Sequence, residues 1–209
     1  SLLVALVVGV SVSALAKADA PLIDAVRSGD VSVVRALLDQ GADVDGAAGD
    51  GATALQWAVH EGRAELVELL LGAGADVTAT NRYGVGPASL AAENGNASIL
   101  ERLLDAGVDP DTTMPGGETL LMTAARTGEP DTVRVLLARG ADPNVREELR
   151  GQTALMWAAA QGHHDVVQAL IDADVDIEAR STVRPRLMYA DAQNGGAFDQ
   201  GIVENLGGF

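Results

Sequence analysis

Apolar residues recur along this chain with two periods, a short helical one and a long one. Within each repeated segment they fall three or four apart, as in Val67 and Leu70, which predicts short amphipathic helices. The segments themselves recur at intervals of 33, 33, 33 and 34 residues, each marked by Gly-Ala-Asp or a close variant. The five markers begin at Gly41, Gly74, Gly107, Gly140 and Asp174. A period of this length indicates an array of repeated supersecondary units.

Two further series of residues, which we call ladders like the series of Gly-Ala-Asp markers, recur at the same intervals. One consists of Gly29, Gly62, Gly95, Gly128 and Gly162. The other consists of Leu37, Leu70, Leu103, Leu136 and Leu170. Three ladders in phase exclude chance composition, and since no single unit can bury its own apolar face, neighbouring units must stack.

Local signals predict two helices in each unit. Threonine hydroxyls stand where a helix N-cap is needed, at Thr53, Thr119 and Thr153. Pro87 and Pro130 stand in the first turn of a helix, where the missing amide costs nothing. The glycines end both helices, and Pro110 and Pro143 then predict an extended hairpin segment.

The repeated unit TALQWAVHEGRAELVELLLGAGADV, with its counterparts TLLMTAARTGEPDTVRVLLARGADP and TALMWAAAQGHHDVVQALIDADVDI, resembles ankyrin repeats. The resemblance covers residues 20–181 and implies an all-α solenoid of stacked helix-turn-helix units with short β-hairpin loops. We expect five repeats over residues 19–181, with the first as an N-terminal cap because it places Asp24 where later units have larger or less polar residues.

The N-terminal residues 1–18 are predicted to be a signal peptide. Residues 2–16 are an apolar run shorter than the roughly 20 residues of a membrane-spanning helix, and they lead into small-residue cleavage sites ending at Ala16 and Ala18. We therefore expect an exported protein, periplasmic or secreted, with no membrane segment in the mature chain. A buried N-terminal helix and an uncleaved anchor are the alternatives.

Residues 182–206 break the repeat and are predicted to form an inserted loop, after which residues 207–209 begin a further, truncated repeat. Arg184 and Arg186 lie in this loop, close to Arg180, in an otherwise acidic chain. They are candidate contacts for an anionic partner or for the protein's own aspartates. A solvated loop without a role is the alternative.

The composition argues against several classes of catalytic and ligand-binding site. The net charge of −16 opposes binding to phosphate backbones, so nucleic acid is not an expected partner. The absence of Cys excludes disulfides, thiolate metal sites and Cys nucleophiles, and Lys17 is the only lysine. The paired aspartates lack the further oxygens of a calcium loop. For His163 the resemblance implies a hydrogen bond to the turn. We predict no enzyme activity, catalytic residue, metal or cofactor.

The remaining functional surface is the concave groove that the resemblance implies. Trp57 lies about 200° from Leu55 on a helix of about 100° per residue and therefore faces away from the stack. Trp57 and its equivalents Leu90, Thr123 and Trp157 are the candidate partner-binding residues on the helices. The alternative is that both tryptophans are structural filler.

We expect a protein-binding module or scaffold with a protein partner in the cell envelope. The alternatives are the recognition domain of a larger protein with a separate enzymatic segment, and an intracellular regulatory ankyrin protein.

Overall fold

The computed structural model describes residues 21–182, which fold into five helical pairs. The pairs are α1 (Pro21–Ser28) with α2 (Val31–Asp39), α3 (Ala54–His60) with α4 (Ala64–Gly72), α5 (Pro87–Glu93) with α6 (Ala97–Asp105), α7 (Leu120–Thr127) with α8 (Pro130–Ala138), and α9 (Ala154–Gln161) with α10 (His164–Ile171). In this part of the chain the hairpins carry isolated β-bridges, Ala47 with Thr53 and Thr113 with Thr119, in place of strands. The predicted all-α repeat solenoid is confirmed.

The predicted N-caps start the first helices of three units. The Thr53 hydroxyl accepts from the Gln56 amide at 3.4 Å, and the Gln56 side chain accepts from the Thr53 amide at 2.9 Å. The hydroxyls of Thr119 and Thr153 accept the equivalent amides at 3.2 and 3.4 Å. In the third unit Gly86 offers no capping side chain, and Pro87 begins the helix with its preset φ.

Left-handed residues end the helices at the positions of the glycine ladders. Gly128 has φ +84°, and a Cβ there would lie 2.5 Å from Nδ1 of His163, so both conformation and space require glycine. In the last unit Asp174 takes the place of the glycine with φ +61°, and among the described residues it is the one non-glycine with positive φ. The replaced glycine of the repeat therefore keeps the same turn.

Stacking buries the apolar side chains, and more of them remain exposed in the first and last described units. Leu70, Leu103 and Leu136 are fully buried, and so are most of the helix positions that face a neighbouring unit. Val33 in the first unit remains 44% exposed and Ile171 in the last 46%. First helices of neighbouring units pack together more extensively than second helices do, so the array curves with the first helices on its inner side.

Hairpin side chains connect successive units. Asp45 Oδ1 accepts from the amide of Asp76 at 2.8 Å, and Asp111 Oδ1 from the amide of Asp142 at 2.8 Å. Asn144 Oδ1 repeats the contact with Asp176 at 2.7 Å. The paired aspartates of the sequence therefore act as hydrogen-bond acceptors within and between units.

Thr132 is an exception in the core. It is fully buried and its hydroxyl has no hydrogen-bond partner, whereas the equivalent positions hold Leu66, Ile99 and Val166. Because a buried unpaired hydroxyl carries a desolvation cost, we expect Thr132→Val to raise the free energy of unfolding by about 1 kcal/mol. Urea denaturation followed by circular dichroism measures it.

Thr123→Val is the matched control, since Thr123 is equally buried but its hydroxyl donates to Glu118 Oε1 at 2.9 Å. This variant should lower the free energy of unfolding by about 1 kcal/mol. A loss of stability in Thr132→Val as large as in the control would contradict the prediction.

Candidate partner-binding surface

Trp57 lies on α3 at the inner side of the array, half-buried and covered by the preceding unit. The guanidinium carbon of Arg27, on α1, lies 4.6 Å from the Trp57 ring centroid. The ring of His60 meets it edge-on at 6.0 Å. A cation over an indole face is attracted by the ring quadrupole, so Arg27 and Trp57 form one amphipathic surface feature.

Trp157 repeats this arrangement three units along. The guanidinium carbon of Arg126, on α7 of the preceding unit, lies 5.9 Å from its ring centroid. Beside the ring is a cleft of about 190 Å³ lined by Arg126, Gln152, Trp157, Ala160 and Gln161. The two pairs share one register, because in each an arginine near the end of a first helix covers the tryptophan of the next unit.

Both indole N–H groups are covered, and neither has a hydrogen-bond partner among the described residues. The two rings are therefore held by packing and by the arginine cations. A phenylalanine at either position would keep the ring contact without losing a hydrogen bond.

The other two helix candidates are less accessible than the tryptophans. Leu90 is half-buried and packs against the core. Thr123 is 1% exposed, and its hydroxyl donates to Glu118 Oε1 and lies 3.3 Å from the carbonyl oxygen of Thr119. The prediction that Thr123 contacts a partner is corrected, because this short side chain lies below the surface and its hydroxyl is engaged with Glu118 and Thr119.

Arg184 and Arg186 lie outside the described residues, as do residues 1–18 of the predicted signal peptide. The same holds for residues 183–206 of the predicted inserted loop and for residues 207–209. All of these remain predictions.

Two exposed side chains at the hairpin tips were not identified from sequence. Tyr83 is 68% exposed and Leu149 is 63% exposed. Asn81 Oδ1 holds the first tip by accepting from the amides of Tyr83 and Val85 at 2.9 and 3.1 Å. A bulky residue inside a turn sequence is the signal that could have identified them, but both residues lie outside the helices whose faces the apolar pattern defines.

Glu147 holds the second tip with a buried carboxylate. Its two oxygens accept from the amides of Leu149, Arg150 and Gln152 at 2.6, 2.7 and 3.0 Å. Burial alone would raise the pKa of Glu147, but the amide hydrogen bonds, with the nearby charge of Arg150, outweigh it and hold the pKa below its ordinary value. The negative charge of Glu147 is thus used to shape the loop that presents Leu149.

His163 connects two successive units. His163 Nε2 lies 3.0 Å from the carbonyl oxygen of Arg126, one unit earlier, which is a structural contact of the kind expected. Within residues 21–182, no group of three or more His, Cys, Asp or Glu side chains is placed to hold a metal ion. In the same range no helix combines the length and the apolar content of a membrane span.

Comparison with known proteins agrees with this architecture. The family described as ankyrin repeats (3 copies) matches residues 2–81 and 88–181, which is most of the chain. A search of the curated proteins finds no match.

The lowered pKa of Glu147 predicts a pH-dependent loss of stability. Because the folded state favours the carboxylate, its contribution is fully present above the ordinary glutamate pKa of about 4.3 and is lost as the pH falls through the lower folded value. We expect Glu147→Gln to lower the free energy of unfolding by about 2 kcal/mol at neutral pH, with a smaller difference from wild type in acid. Urea denaturation across this pH range measures both.

Glu61→Gln serves as the control, since Glu61 is an exposed glutamate after α3. It should match wild type at every pH within about 0.5 kcal/mol. A Glu147→Gln deficit that does not change with pH would contradict the prediction.

Proposed function

The chain belongs to the ankyrin-repeat family, and on that basis we propose that its inner face binds a partner protein in the cell envelope. Ankyrin repeats are a protein–protein interaction module. The location of the partner in the cell envelope and the use of the inner face for binding are proposals.

Exposed apolar side chains favour the inner face as the binding surface. Between the two ends of the array, the large apolar side chains that remain well exposed in the described residues are Tyr83 and Leu149, both at hairpin tips. The half-exposed Trp57 and Trp157 lie on the adjoining first helices. Aromatic residues and arginine are enriched at the energetic centres of interfaces, so these side chains mark the inner side as the binding side.

The spacing of the two tryptophans fits a protein ligand. Three units separate them, and at helix spacings of about 8 to 10 Å they lie roughly 24 to 30 Å apart. This distance suits an extended segment or one face of a domain. It is much larger than the single enclosed pocket that a small molecule requires.

The predicted signal peptide supports a location in the envelope. A chain with no Cys also suits an oxidising compartment, because it has no thiol that could form an unwanted disulfide. We propose further that the protein acts by binding alone, since the chain has no Cys, one Lys and only three His, and His163 is engaged with a backbone carbonyl.

The binding proposal predicts the effect of changing the tryptophans. Trp57→Ala with Trp157→Ala should weaken partner binding by about 2 kcal/mol or more, the usual loss at an interface anchor. The full chain is immobilised, proteins are captured from envelope extract, and the affinity of the captured protein is then measured by calorimetry.

Two controls separate binding from folding. The double phenylalanine variant keeps both rings and should retain most of the affinity, while Arg134→Ala, on the outer helix α8, should bind as wild type. Every variant needs an unchanged far-ultraviolet spectrum and a cooperative melt. Wild-type affinity in a folded double alanine variant would overturn the surface assignment.

The export proposal predicts cleavage. When the full gene is expressed, the mature chain should begin at Lys17 or Asp19 and be found outside the cytoplasm. N-terminal sequencing of the fractionated product checks this. A soluble cytoplasmic product that retains Ser1 would show that residues 1–18 are not a signal peptide.

A further inference from the structure

The first helix of the third unit, α5, carries two side chains that are smaller than their counterparts. Ala88 stands where the second, fourth and fifth units have leucine, and Ser89 stands where they have glutamine or methionine. In the second unit these counterparts are Leu55 and Gln56, which are both almost completely buried. A cavity of about 70 Å³ lies beside Ala88 and Ser89, between the hairpins of the third and fourth units. The two small side chains thus leave space that larger ones fill elsewhere.

The cavity has an apolar interior and a polar mouth. Ala88 and Val108 line it and are buried. Thr78 and Thr112, one on each hairpin, line it and are exposed, so the cavity can be reached from solvent. Every described residue that lines the cavity is uncharged. Because burying a charge without a partner is costly, the cavity suits a neutral group.

Ser89 directs an unpaired polar group into this cavity. The residue is 4% exposed and lines the cavity. Its hydroxyl has no hydrogen-bond partner among the described residues. Since a buried unpaired hydroxyl carries a desolvation cost, a bound molecule with a polar atom next to Ser89 would recover a hydrogen bond.

Gln56 shows which polar group the corresponding place in the second unit holds. Its Nε2 donates to the carbonyl oxygens of Ala79 and Val85 at 2.9 Å each. Its Oε1 accepts from the amide of Thr53 at 2.9 Å. A carboxamide both donates and accepts, so this one group makes all three bonds and joins the second unit to the next hairpin.

The corresponding backbone groups are present one repeat later. Thr112, Glu118 and Gly86 occupy the repeat positions of the three residues that Gln56 contacts. The hairpin of the fourth unit closes like the preceding one, with the amide of Met114 donating to the carbonyl oxygen of Glu118 at 2.8 Å. The amide of Gly86 and the carbonyl oxygen of Thr112 have no hydrogen-bond partner among the described residues. The short side chain of Ser89 makes none of the bonds that Gln56 makes.

We propose that this cavity binds a primary carboxamide, the side chain of a glutamine or asparagine of the partner protein. The carboxamide takes the place that the Gln56 side chain takes one unit earlier. Its nitrogen donates to the hairpin carbonyl oxygens, and its oxygen accepts from the Gly86 amide or the Ser89 hydroxyl. The inference rests on the proposed function for the source of the carboxamide, and not for the chemistry of the cavity.

A partner's side chain fits this site better than a free small molecule does. The cavity has room for only a few non-hydrogen atoms, and the affinity of so small a free ligand has a low ceiling. A side chain gains further affinity from the partner surface around it. Gly84, which lines the cavity, directly follows the exposed Tyr83, so the site adjoins a side chain that the proposed function assigns to the interface.

Propionamide, which is the glutamine side chain without its backbone, is the probe for the test. Titrated into the isotope-labelled full chain, it should saturably shift the backbone amide NMR signals of Gly86, Ser89 and Thr113, with millimolar affinity. Propionate, the matching carboxylate, should not shift them, because no charged residue lines the cavity to pair with it. Shifts with propionate as large as those with propionamide, or none with either, would overturn the proposal.

Variants locate the binding site of propionamide. Ser89→Gln should fill the cavity with its own carboxamide, raise the urea midpoint of unfolding and weaken binding by about tenfold or more. Ser98→Gln, at an exposed position of α6 in the same unit, is the matched control and should bind as wild type. Ser89→Ala keeps the cavity and loses the hydroxyl, so its affinity should fall by about threefold. Wild-type affinity in folded Ser89→Gln would refute the site, and if that variant does not fold, wild-type affinity in Ser89→Ala would do so.

The captured partner tests the source of the carboxamide. Ser89→Gln should weaken partner binding by about threefold or more, and Ser98→Gln should not change it. Unchanged partner affinity in Ser89→Gln would show that the partner does not supply the carboxamide. The double tryptophan variant tests the inner face alone, so this inference and the proposed function can fail separately.

Discussion

Each helical pair of this array excludes water from its apolar side chains only where another pair lies against it. Val34, Val67, Leu100 and Val133 occupy one repeat position and are fully buried, whereas Val167, at the same position in the last described unit, is partly exposed. The side-chain types are alike, so the difference comes from the neighbour. The stability of such a stack is a sum over its interfaces, and every other feature of the fold depends on units being placed at a fixed repeat.

The spacing of the hairpins follows from that repeat. Because Asp45, Asp111 and Asn144 accept from the backbone of the next unit, the hairpins advance in step with the helices. Asn81 and Glu147 then fix the local shape of two tips. The exposed Tyr83 and Leu149 are thus presented by polar contacts in which neither of their own side chains takes part.

Arginines are held differently on the two sides of the solenoid. On the outer helices, Arg102 and Arg139 form ion pairs with exposed carboxylates, and such pairs contribute little stability individually. On the inner side, Arg27 and Arg126 lie over the rings of Trp57 and Trp157, and Arg126 also pairs with Glu118 at 3.5 Å. The guanidinium groups of these first helices thus help to position the tryptophans of the following units.

The sequence by itself determined the period, the caps at Thr53, Thr119 and Thr153, and the left-handed helix ends at the glycines. These are local properties, set by residues within a few positions of each other. Tertiary structure alone decided which side chains are available: a helical wheel places Thr123 and Trp157 at one angle, yet Thr123 is buried and Trp157 borders a cleft. It also decided that Glu147 is buried and Leu149 exposed. Exposure depends on what a unit some thirty residues away covers, and no local pattern contains that information.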